Sequence, residues 1–304
     1  MNLLDTEILK FMIIKELDSW NTDLKNILEN ILWEIDGSCN IAIIRDNWDL
    51  SIAKYKNDFH PLAWSKKDGV FLFSSESWAL YSSWCEKINY MKAWEVVEVK
   101  NWKVYTWELR IETEKTPCVF ELIYFSSPES AINWIPVSRI RSSLWRELAI
   151  EQRERINRKN SIVVDVPSSS HYQTKWFSQE LWIPIINAIT KNPESNRTFF
   201  SSKDSILDKV KRKYIFNTNM REFIEWKEFY LVDDSLVRGN TMLHLVETFK
   251  KFYRPAKVHL TIPSPPIIAP CFYGINMPSQ EELFVPWYLW DLRNPKDEEL
   301  KVMA

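Results

Sequence analysis

The segment Phe229–Thr241 constrains the fold of this chain more than any other part of its sequence. Tyr230–Val232 is a short apolar run, typical of a buried strand, and it ends at two adjacent carboxylates, Asp233 and Asp234. Beyond a polar turn, four apolar residues recur at i, i+3, i+4 and i+7, the spacing of one face of an amphipathic helix: Met242, Leu245, Val246 and Phe249. The segment therefore predicts a strand, a tight turn and a helix in direct succession.

The predicted turn has the chemistry of a site for a phosphorylated sugar. Backbone N–H groups at a helix N-terminus and the helix dipole favour an anion, and Ser235 and Thr241 add hydroxyl donors. Asp233 and Asp234 suit the opposite task, because carboxylates bind sugar hydroxyls and hard divalent metal ions. A ribose 5-phosphate would satisfy both ends of the loop. The alternative interpretation is an ordinary strand-to-helix turn with solvated acids.

This segment resembles the signature with which type I phosphoribosyltransferases bind 5-phosphoribosyl 1-diphosphate (PRPP). Three further stretches are similar to parts of the amidophosphoribosyltransferase family: Asp5–Ile8, Phe120–Ser130 and Ser264–Ile275. The resemblance extends, with gaps, from about residue 5 to about residue 283. It implies an enzyme of de novo purine biosynthesis that converts PRPP and glutamine or ammonia to 5-phosphoribosylamine, diphosphate and glutamate.

The resemblance assigns roles to the residues of the motif. The two acids of the family contact the ribose hydroxyls and a Mg²⁺ ion, and they correspond to Asp233 and Asp234. The phosphate turn corresponds to six residues: Ser235, Val237, Arg238, Gly239, Asn240 and Thr241. The family usually has Gly-Thr-Thr at the end of this turn, so Asn240 is a departure, although its side chain still donates and accepts hydrogen bonds.

Two other loops resemble the parts of the family that hold the diphosphate. In Val164–Ser170, Ser169 corresponds to the hydroxyl offered to the metal, while Ser168 replaces an acid and Asp165 replaces a proline. A serine-rich turn without a ligand is the alternative interpretation of this loop. Lys191–Phe199 resembles a flexible lid, which excludes water so that ammonia and not water replaces the diphosphate. Its matching substrate-binding residues are Lys191, Asn192 and Arg197.

The N-terminal part is similar to the family's glutaminase domain but lacks the nucleophile. This chemistry needs an N-terminal cysteine whose own amino group acts as the base, whereas the chain starts at Met1 and has no cysteine before Cys39. The match begins at Asp5, which corresponds to the acid that binds the α-amino group of glutamine. We therefore expect no glutaminase activity from the chain as written. We expect the sequence to be a fragment or to begin at a misplaced start codon.

Two cysteines match ligands of the iron–sulfur cluster in one branch of the family. Cys118 and Cys271 correspond to two of the four cysteines, so the resemblance implies a possible [4Fe–4S] cluster in a full-length protein only. Buried free cysteines are the alternative interpretation.

The order of predicted elements divides the chain into two domains of different class. Residues 1–112 read as two helices followed by alternating strands, which suits an α+β, partial glutaminase domain of the N-terminal-nucleophile (Ntn) hydrolase type. Residues 113–304 alternate helices and strands, which favours an α/β phosphoribosyltransferase domain with a parallel sheet, truncated at its C-terminus. The strands predicted there are Ser161–Val166, Pro184–Ile189, 228–232 and 257–262, and the main helices are Arg139–Asn157 and Tyr172–Leu181.

The chain contains far less glycine and far more tryptophan than an average protein of its length. The chain has 4 Gly and 16 Trp in 304 residues, whereas average usage predicts about 21 glycines. Asn47-Trp48 and Asn101-Trp102 stand between alternating runs, where Asn-Gly is the strongest hairpin signal. Eight more tryptophans match family glycines: Trp64, Trp84, Trp94, Trp134, Trp145, Trp176, Trp182 and Trp226. Our hypothesis is that these codons, UGA by expectation, are read as glycine in the source organism.

Bulk properties exclude several function classes. The net charge of −2 gives no pull toward nucleic acid or membrane, and no apolar run approaches the ~20 residues of a membrane span. The four cysteines form no CxxC pair, which fits a reducing cytoplasm. We expect a cytoplasmic homo-oligomer whose partners are PRPP and glutamine or ammonia. The alternatives are a non-catalytic PRPP-binding regulator, another type I phosphoribosyltransferase, or a tryptophan-lined carbohydrate-binding module.

Overall fold

The protein forms two compact units, with the division between Val137 and Ser138. The computed structural model describes residues 5–19, 23–35, 37–55, 58–110, 117–167, 170–193, 212–273, 277 and 279–289. In these residues no helix is long and apolar enough to cross a membrane. The helices of four or more residues that the structure describes are Asp5–Asp18, Leu24–Glu34, Ser77–Ser82, Val137–Gln152, His171–Leu181, Arg221–Ile224, Asn240–Tyr253 and Phe284–Leu289, with a short π-helix at Glu121–Phe125.

The first unit contains two antiparallel sheets and one small hairpin. The first sheet has the strand order β1-β2-β6-β7: Asn40–Ile44, Leu50–Lys54, Glu95–Lys100 and Lys103–Glu108. The second has the order β4-β3-β5: Val70–Ser74, Ala63–Lys67 and Asn89–Tyr90. The hairpin pairs β8 (Ala131–Ile132) with β9 (Ile135–Pro136).

The pairing register shows how these sheets are layered. Ile41, Ala53 and Val96 share one face of the first sheet and pack on helix Leu24–Glu34. The opposite face carries Ile52 and Val97, which pack with Trp64 and Phe73 of the second sheet. The far face of the second sheet is covered by helix Ser77–Ser82 through Leu80. The first unit is therefore a helix–sheet–sheet–helix sandwich, in which the period of two along each strand serves two buried faces.

The second unit is built on the predicted parallel sheet. Its strand order is β10-β13-β14: Ser161–Asp165, Glu228–Val232 and Lys257–Thr261. Helix Asn240–Tyr253 covers one face through fully buried Leu245 and Phe249. Helices Val137–Gln152 and His171–Leu181 cover the other face, where Trp145 packs against Phe177 with ring centroids 6.0 Å apart. Both faces are buried, which explains why the strands read as continuous apolar runs.

The strand predicted at Pro184–Ile189 is not formed as a strand. The segment makes one parallel bridge, in which Val163 donates to the carbonyl of Pro184 and Ile186 donates to that of Val163, both at 2.9 Å. Pro184 has no N–H for a continuing ladder, and Ala188 donates back to Ile186 at 2.9 Å. A separate short strand, β11 (Ile189–Lys191), instead pairs with β12 (Tyr214–Phe216).

Of the tryptophans that the structure describes, seven lie in the left-handed region of backbone space that favours glycine. Their φ values are 67° (Trp48), 59° (Trp84), 69° (Trp94), 61° (Trp102), 71° (Trp134), 58° (Trp182) and 66° (Trp226). All seven belong to the ten positions that the sequence marked as glycine positions. The other three, Trp64, Trp145 and Trp176, have ordinary backbone angles in a strand or in helices.

Candidate functional site

The candidate site lies at the carboxyl edge of the parallel sheet. Asp165, Val232 and Thr261 are aligned by register and end strands β10, β13 and β14. Asp233 and Asp234 follow β13 directly, and the N–H of Asp233 donates to the carbonyl of Thr261 at 3.2 Å. Ligands of parallel α/β sheets bind at this edge, so the carboxylates are where a ligand site is expected.

The two acids are held in a compact hydrogen-bonded arrangement. The backbone N–H of Asp234 donates to Asp233 Oδ1 at 3.0 Å, and Ser235 Oγ donates to Asp234 Oδ1 at 3.0 Å. Burial raises the pKa of Asp234 to about 7, with the neighbouring Asp233 as the second cause, while Ser235 and Arg141 act in the lowering direction. A cation bound here would relieve both causes, because it replaces lost solvation and offsets the repulsion between the carboxylates.

Two further residues at this edge were not predicted as site residues. Asp165 brings a third, buried carboxylate to the end of β10. Thr261 Oγ1 is buried at the end of β14 and has no hydrogen-bond partner among the described residues. In the sequence, Asp165 and Thr261 are each a polar residue at the end of an apolar run, which is the only mark of a site residue that they carry. Only the pairing register of the strands shows that they align beside the acid pair. An unpaired buried hydroxyl is costly, which makes Thr261 a further candidate ligand group.

The turn that is predicted to bind phosphate leads into a helix through a left-handed glycine. Gly239 has φ 71° and precedes helix Asn240–Tyr253, and its carbonyl accepts from the N–H of Leu243 at 2.8 Å. A Cβ at Gly239 would lie 2.5 Å from Cδ2 of Phe284. The first N–H groups of a helix lack intrahelical acceptors, so this helix start offers backbone donors beside the acid pair. Asn240 and Thr241 are its first two residues, and their side chains lie outside the described part.

The remaining predicted residues are only partly described. Ser168, Ser169 and Arg197 lie outside the described residues. Around the first two, buried Ser170 closes the loop: its Oγ accepts from the N–H of Val166 at 3.0 Å and helix His171–Leu181 follows. Lys191 ends β11, and Asn192 donates to the carbonyl of Arg212 at 2.9 Å. The predicted lid therefore begins at the end of a two-stranded ribbon.

The structure places Asp5 and Cys118 in the first unit and Cys271 in the second. Asp5 is the first residue of helix Asp5–Asp18, and its side chain is not described. Cys118 and Cys271 are both partly exposed free thiols. Among the described residues, no three or more His, Cys, Asp or Glu side chains form a group that could hold a metal ion.

Comparison with known structures gives a fold for both units. The chain superposes on the glutamine PRPP amidotransferase from B. subtilis complexed with ADP and GMP, with a TM-score of 0.81, 26% identity and coverage of 99% of this chain and 66% of that one. A structure described as the allosteric regulatory enzyme of purine biosynthesis gives a TM-score of 0.79 and 26% identity over 99% of this chain and 64% of that one. No protein-family model matches.

Curated relatives agree with these structures. The chain is 31% identical over 287 residues to the amidophosphoribosyltransferase of Pyrococcus horikoshii (93% of this chain, 60% of the relative) and 30% identical over 281 residues to that of Archaeoglobus fulgidus (92% and 59%). The fold and the acid pair define a type I phosphoribosyltransferase domain that follows an Ntn-type glutaminase fold. The chain belongs to the amidophosphoribosyltransferase family. It spans about 60% of the length of these relatives.

Proposed function

We propose that the second unit binds PRPP and transfers its phosphoribosyl group to ammonia, giving 5-phosphoribosylamine and diphosphate. The observation that carries the proposal is the acid pair at the carboxyl edge of the sheet, followed within one turn by a helix N-terminus. Asp233 and Asp234 would accept from the ribose hydroxyls. The backbone N–H groups between Ser235 and the helix start would bind the 5-phosphate.

The residues at the edge fit a Mg²⁺ ion that arrives with the substrate. Asp233 and Asp234 would hold it, since they are adjacent and the pKa of Asp234 is raised by burial and by Asp233. Two carboxylates are too few for a protein-only cage, but Mg²⁺ is usually bound by one or two carboxylates plus substrate phosphates. When bound, the ion neutralises charge that develops on the departing diphosphate. Ser169 would add a hydroxyl on the diphosphate side.

The proposed reaction needs positioning and no protein nucleophile. The bond between C1 of the ribose and the diphosphate oxygen breaks, a bond from C1 to the ammonia nitrogen forms, and a proton leaves the resulting ammonium group to solvent. The acid pair and the helix start would fix the two ends of the sugar phosphate, which orients C1. Lys191, Asn192 and Arg197 would close over the diphosphate and exclude water.

The source of ammonia separates two forms of this proposal. In the family's glutamine-dependent reaction the first unit would release ammonia from glutamine, with Asp5 binding the α-amino group. For the described chain we propose transfer from free ammonia. An iron–sulfur cluster needs four ligands, of which Cys118 and Cys271 would supply two, so a [4Fe–4S] cluster is proposed only for a full-length protein. The absence of a CxxC pair supports a reducing, cytoplasmic setting, and the homo-oligomer stays a prediction.

The test is diphosphate release from PRPP with ammonium and Mg²⁺. The chain should release diphosphate in proportion to ammonia, and Asp233→Ala/Asp234→Ala should abolish release. Glu222→Ala, which removes an exposed acid of helix Arg221–Ile224, is the matched control and should leave the rate unchanged. PRPP binding without ammonia-dependent release would favour the non-catalytic regulator. Equal activity in the double variant would overturn the assignment of the acid pair.

A further inference from the structure

The segment Gln280–Phe284 lies against the phosphate turn and touches it at three successive residues. Arg238 donates from Nε and Nη2 to a single carboxylate oxygen of Glu282, at 2.7 and 2.6 Å. The N–H of Phe284 donates to the carbonyl of Val237 at 2.8 Å. The Phe284 ring fills the space in which a side chain of Gly239 would stand. The Arg238 side chain, the Val237 carbonyl and the Cα of Gly239 are thus each contacted by Glu282 or Phe284.

These contacts affect ligand binding, because the backbone N–H groups of the turn can bind an anion well only if the backbone is held in one conformation. An anion bound by turn N–H groups requires those groups to converge before the ligand arrives, or binding must first order the turn. Val237 and Arg238 are only partly buried or exposed, so the turn has little core packing of its own at these positions. The bond to Phe284 and the ion pair to Glu282 supply constraints from about 45 residues further along the chain.

We propose that Glu282 and Phe284 form a brace that shapes the phosphate turn, and that Glu282 is a positioning residue that acts on PRPP binding through Arg238. The inference rests on the proposed function of the turn. A Glu282 carboxylate that merely competed with phosphate for Arg238 would have the opposite effect, since its removal would then tighten binding.

The test is calorimetric titration of Mg²⁺–PRPP into the chain and four variants: Glu282→Gln, Glu281→Gln, Arg238→Met and the double variant Arg238→Met/Glu282→Gln. Glu282→Gln should raise the dissociation constant about twofold to fivefold, the range expected for a partly exposed ion pair. Glu281→Gln, the neighbouring exposed acid, is the matched control and should leave it unchanged. In the Arg238→Met background, Glu282→Gln should add no further loss, because residues that act as one unit are not additive.

The outcomes separate this inference from the proposed function. If the unaltered chain binds PRPP and Glu282→Gln binds equally well or more tightly, the brace is overturned while the site stands. If the unaltered chain, shown to be folded by circular dichroism, takes up no PRPP, the proposed function itself fails. In a parallel steady-state assay, Glu282→Gln should raise the KM for PRPP and leave kcat unchanged, whereas a general loss of structure would lower kcat as well.

A second inference rests on the backbone of the seven left-handed tryptophans. Six of the seven are between 66% and 85% exposed, so packing offsets little of their conformational cost, although the Trp134 ring lies 4.7 Å from that of Tyr90. Of the seven, Trp94 alone is buried. Their places are those that glycine takes in other proteins. Trp182 follows helix His171–Leu181 as its left-handed cap. Trp48 closes the turn in which its N–H donates to the carbonyl of Arg45 at 3.0 Å, where a bulge of this type has glycine.

Two hairpins show the requirement most directly. Asn101 and Trp102 have φ of 48° and 61°, and Asn133 and Trp134 have φ of 48° and 71°. Each pair connects adjacent strands as a two-residue loop. Such loops need φ > 0 at both central residues, which is why Asn-Gly is preferred there. Asparagine tolerates the first position, whereas tryptophan has no feature that favours the second.

We infer that the natural protein carries glycine at these seven positions, because the source organism translates their codons as glycine and not as tryptophan. The structure gives no equivalent reason at Trp64, Trp145 or Trp176. Sequencing the gene should show UGA at all seven, and peptide mass spectrometry of protein from the source cells should show glycine. UGG codons at Trp48, Trp102 and Trp182, or tryptophan in those peptides, would overturn the inference.

Stability of purified variants gives an independent check. Trp182→Gly and Trp102→Gly should each raise the folding equilibrium constant about 5- to 30-fold, because each removes a left-handed non-glycine residue. Trp176→Gly, at an exposed position inside helix His171–Leu181, is the matched control and should leave the constant unchanged or lower it. Equal gains at all three sites, or no gain at the first two, would contradict the argument from backbone conformation.

Discussion

Replacement of Asp234 by asparagine should stabilise the protein while it destroys the site. Asp234 is 5% exposed, and burial and Asp233 raise its pKa to about 7. Asparagine has the same shape and no charge, and its side-chain oxygen can still accept from Ser235 Oγ, which now lies 3.0 Å from Oδ1. The substitution therefore removes the cost of a buried carboxylate with little change in packing.

The size and sign of this effect follow from the shift of the pKa. The pKa rises from 3.8 to about 7, and each unit corresponds to about 1.4 kcal/mol, so ionised Asp234 weakens the folded state by at most about 4 kcal/mol. Because Asp233 and Asp234 titrate as a pair, we expect about 2–4 kcal/mol. The folded state binds the proton more tightly than the unfolded one. Stability is therefore lost as the pH rises from about 4 to about 7 and stays constant above that.

The assay is urea unfolding of both proteins between pH 4 and pH 8. The free energies of unfolding should agree near pH 4, diverge through pH 7 and then differ by a constant amount in favour of Asp234→Asn. PRPP binding should be lost at every pH. Asp233→Asn should leave a smaller cost at Asp234, because it removes only the second cause of the raised pKa. A pH-independent difference, or a less stable Asp234→Asn at pH 8, would refute the reasoning.

Three further predictions test the turn, the core and the metal. Gly239→Ala should lower the free energy of unfolding in urea by more than about 2 kcal/mol and abolish PRPP binding, because the strain of a left-handed alanine adds to the clash with Phe284. Gly69→Ala is the control: its φ is +81° with open space around it, so it should cost only the backbone strain of about 1–2 kcal/mol. Phe249→Ala should cost about 3–5 kcal/mol, since this fully buried ring lies 4.6 Å from that of Phe229. Removal of Mg²⁺ by EDTA should weaken calorimetric PRPP binding at least tenfold, and unchanged binding would contradict a metal at the acid pair.

Local sequence signals were sufficient to predict the secondary-structure elements that carry the candidate site. The apolar run before Asp233 became strand β13, and the i, i+3, i+4, i+7 spacing became helix Asn240–Tyr253 with Leu245 and Phe249 fully buried. Asn47-Trp48 and Asn101-Trp102 were predicted as turns that need positive φ, and Trp48 and Trp102 have it. These predictions succeeded because each depends on residues within about one helix turn or hairpin of one another.

Features that depend on distant residues could not be predicted in the same way. The contact of Glu282 with Arg238 joins segments 44 residues apart, and no local pattern marks either residue as a partner. The alignment of Asp165 and Thr261 beside the acid pair required the pairing register. Pro184–Ile189 has the apolar character of a strand, but Pro184 removes a ladder donor and the segment makes only one bridge.

The most direct test of the account is a crystal structure of this chain with Mg²⁺ and PRPP. The account predicts the ribose hydroxyls on the carboxylates of Asp233 and Asp234, and the 5-phosphate on backbone N–H groups between Ser235 and the start of helix Asn240–Tyr253. Ligand density at any other edge of the sheet, or a 5-phosphate held only by side chains away from this turn, would contradict it.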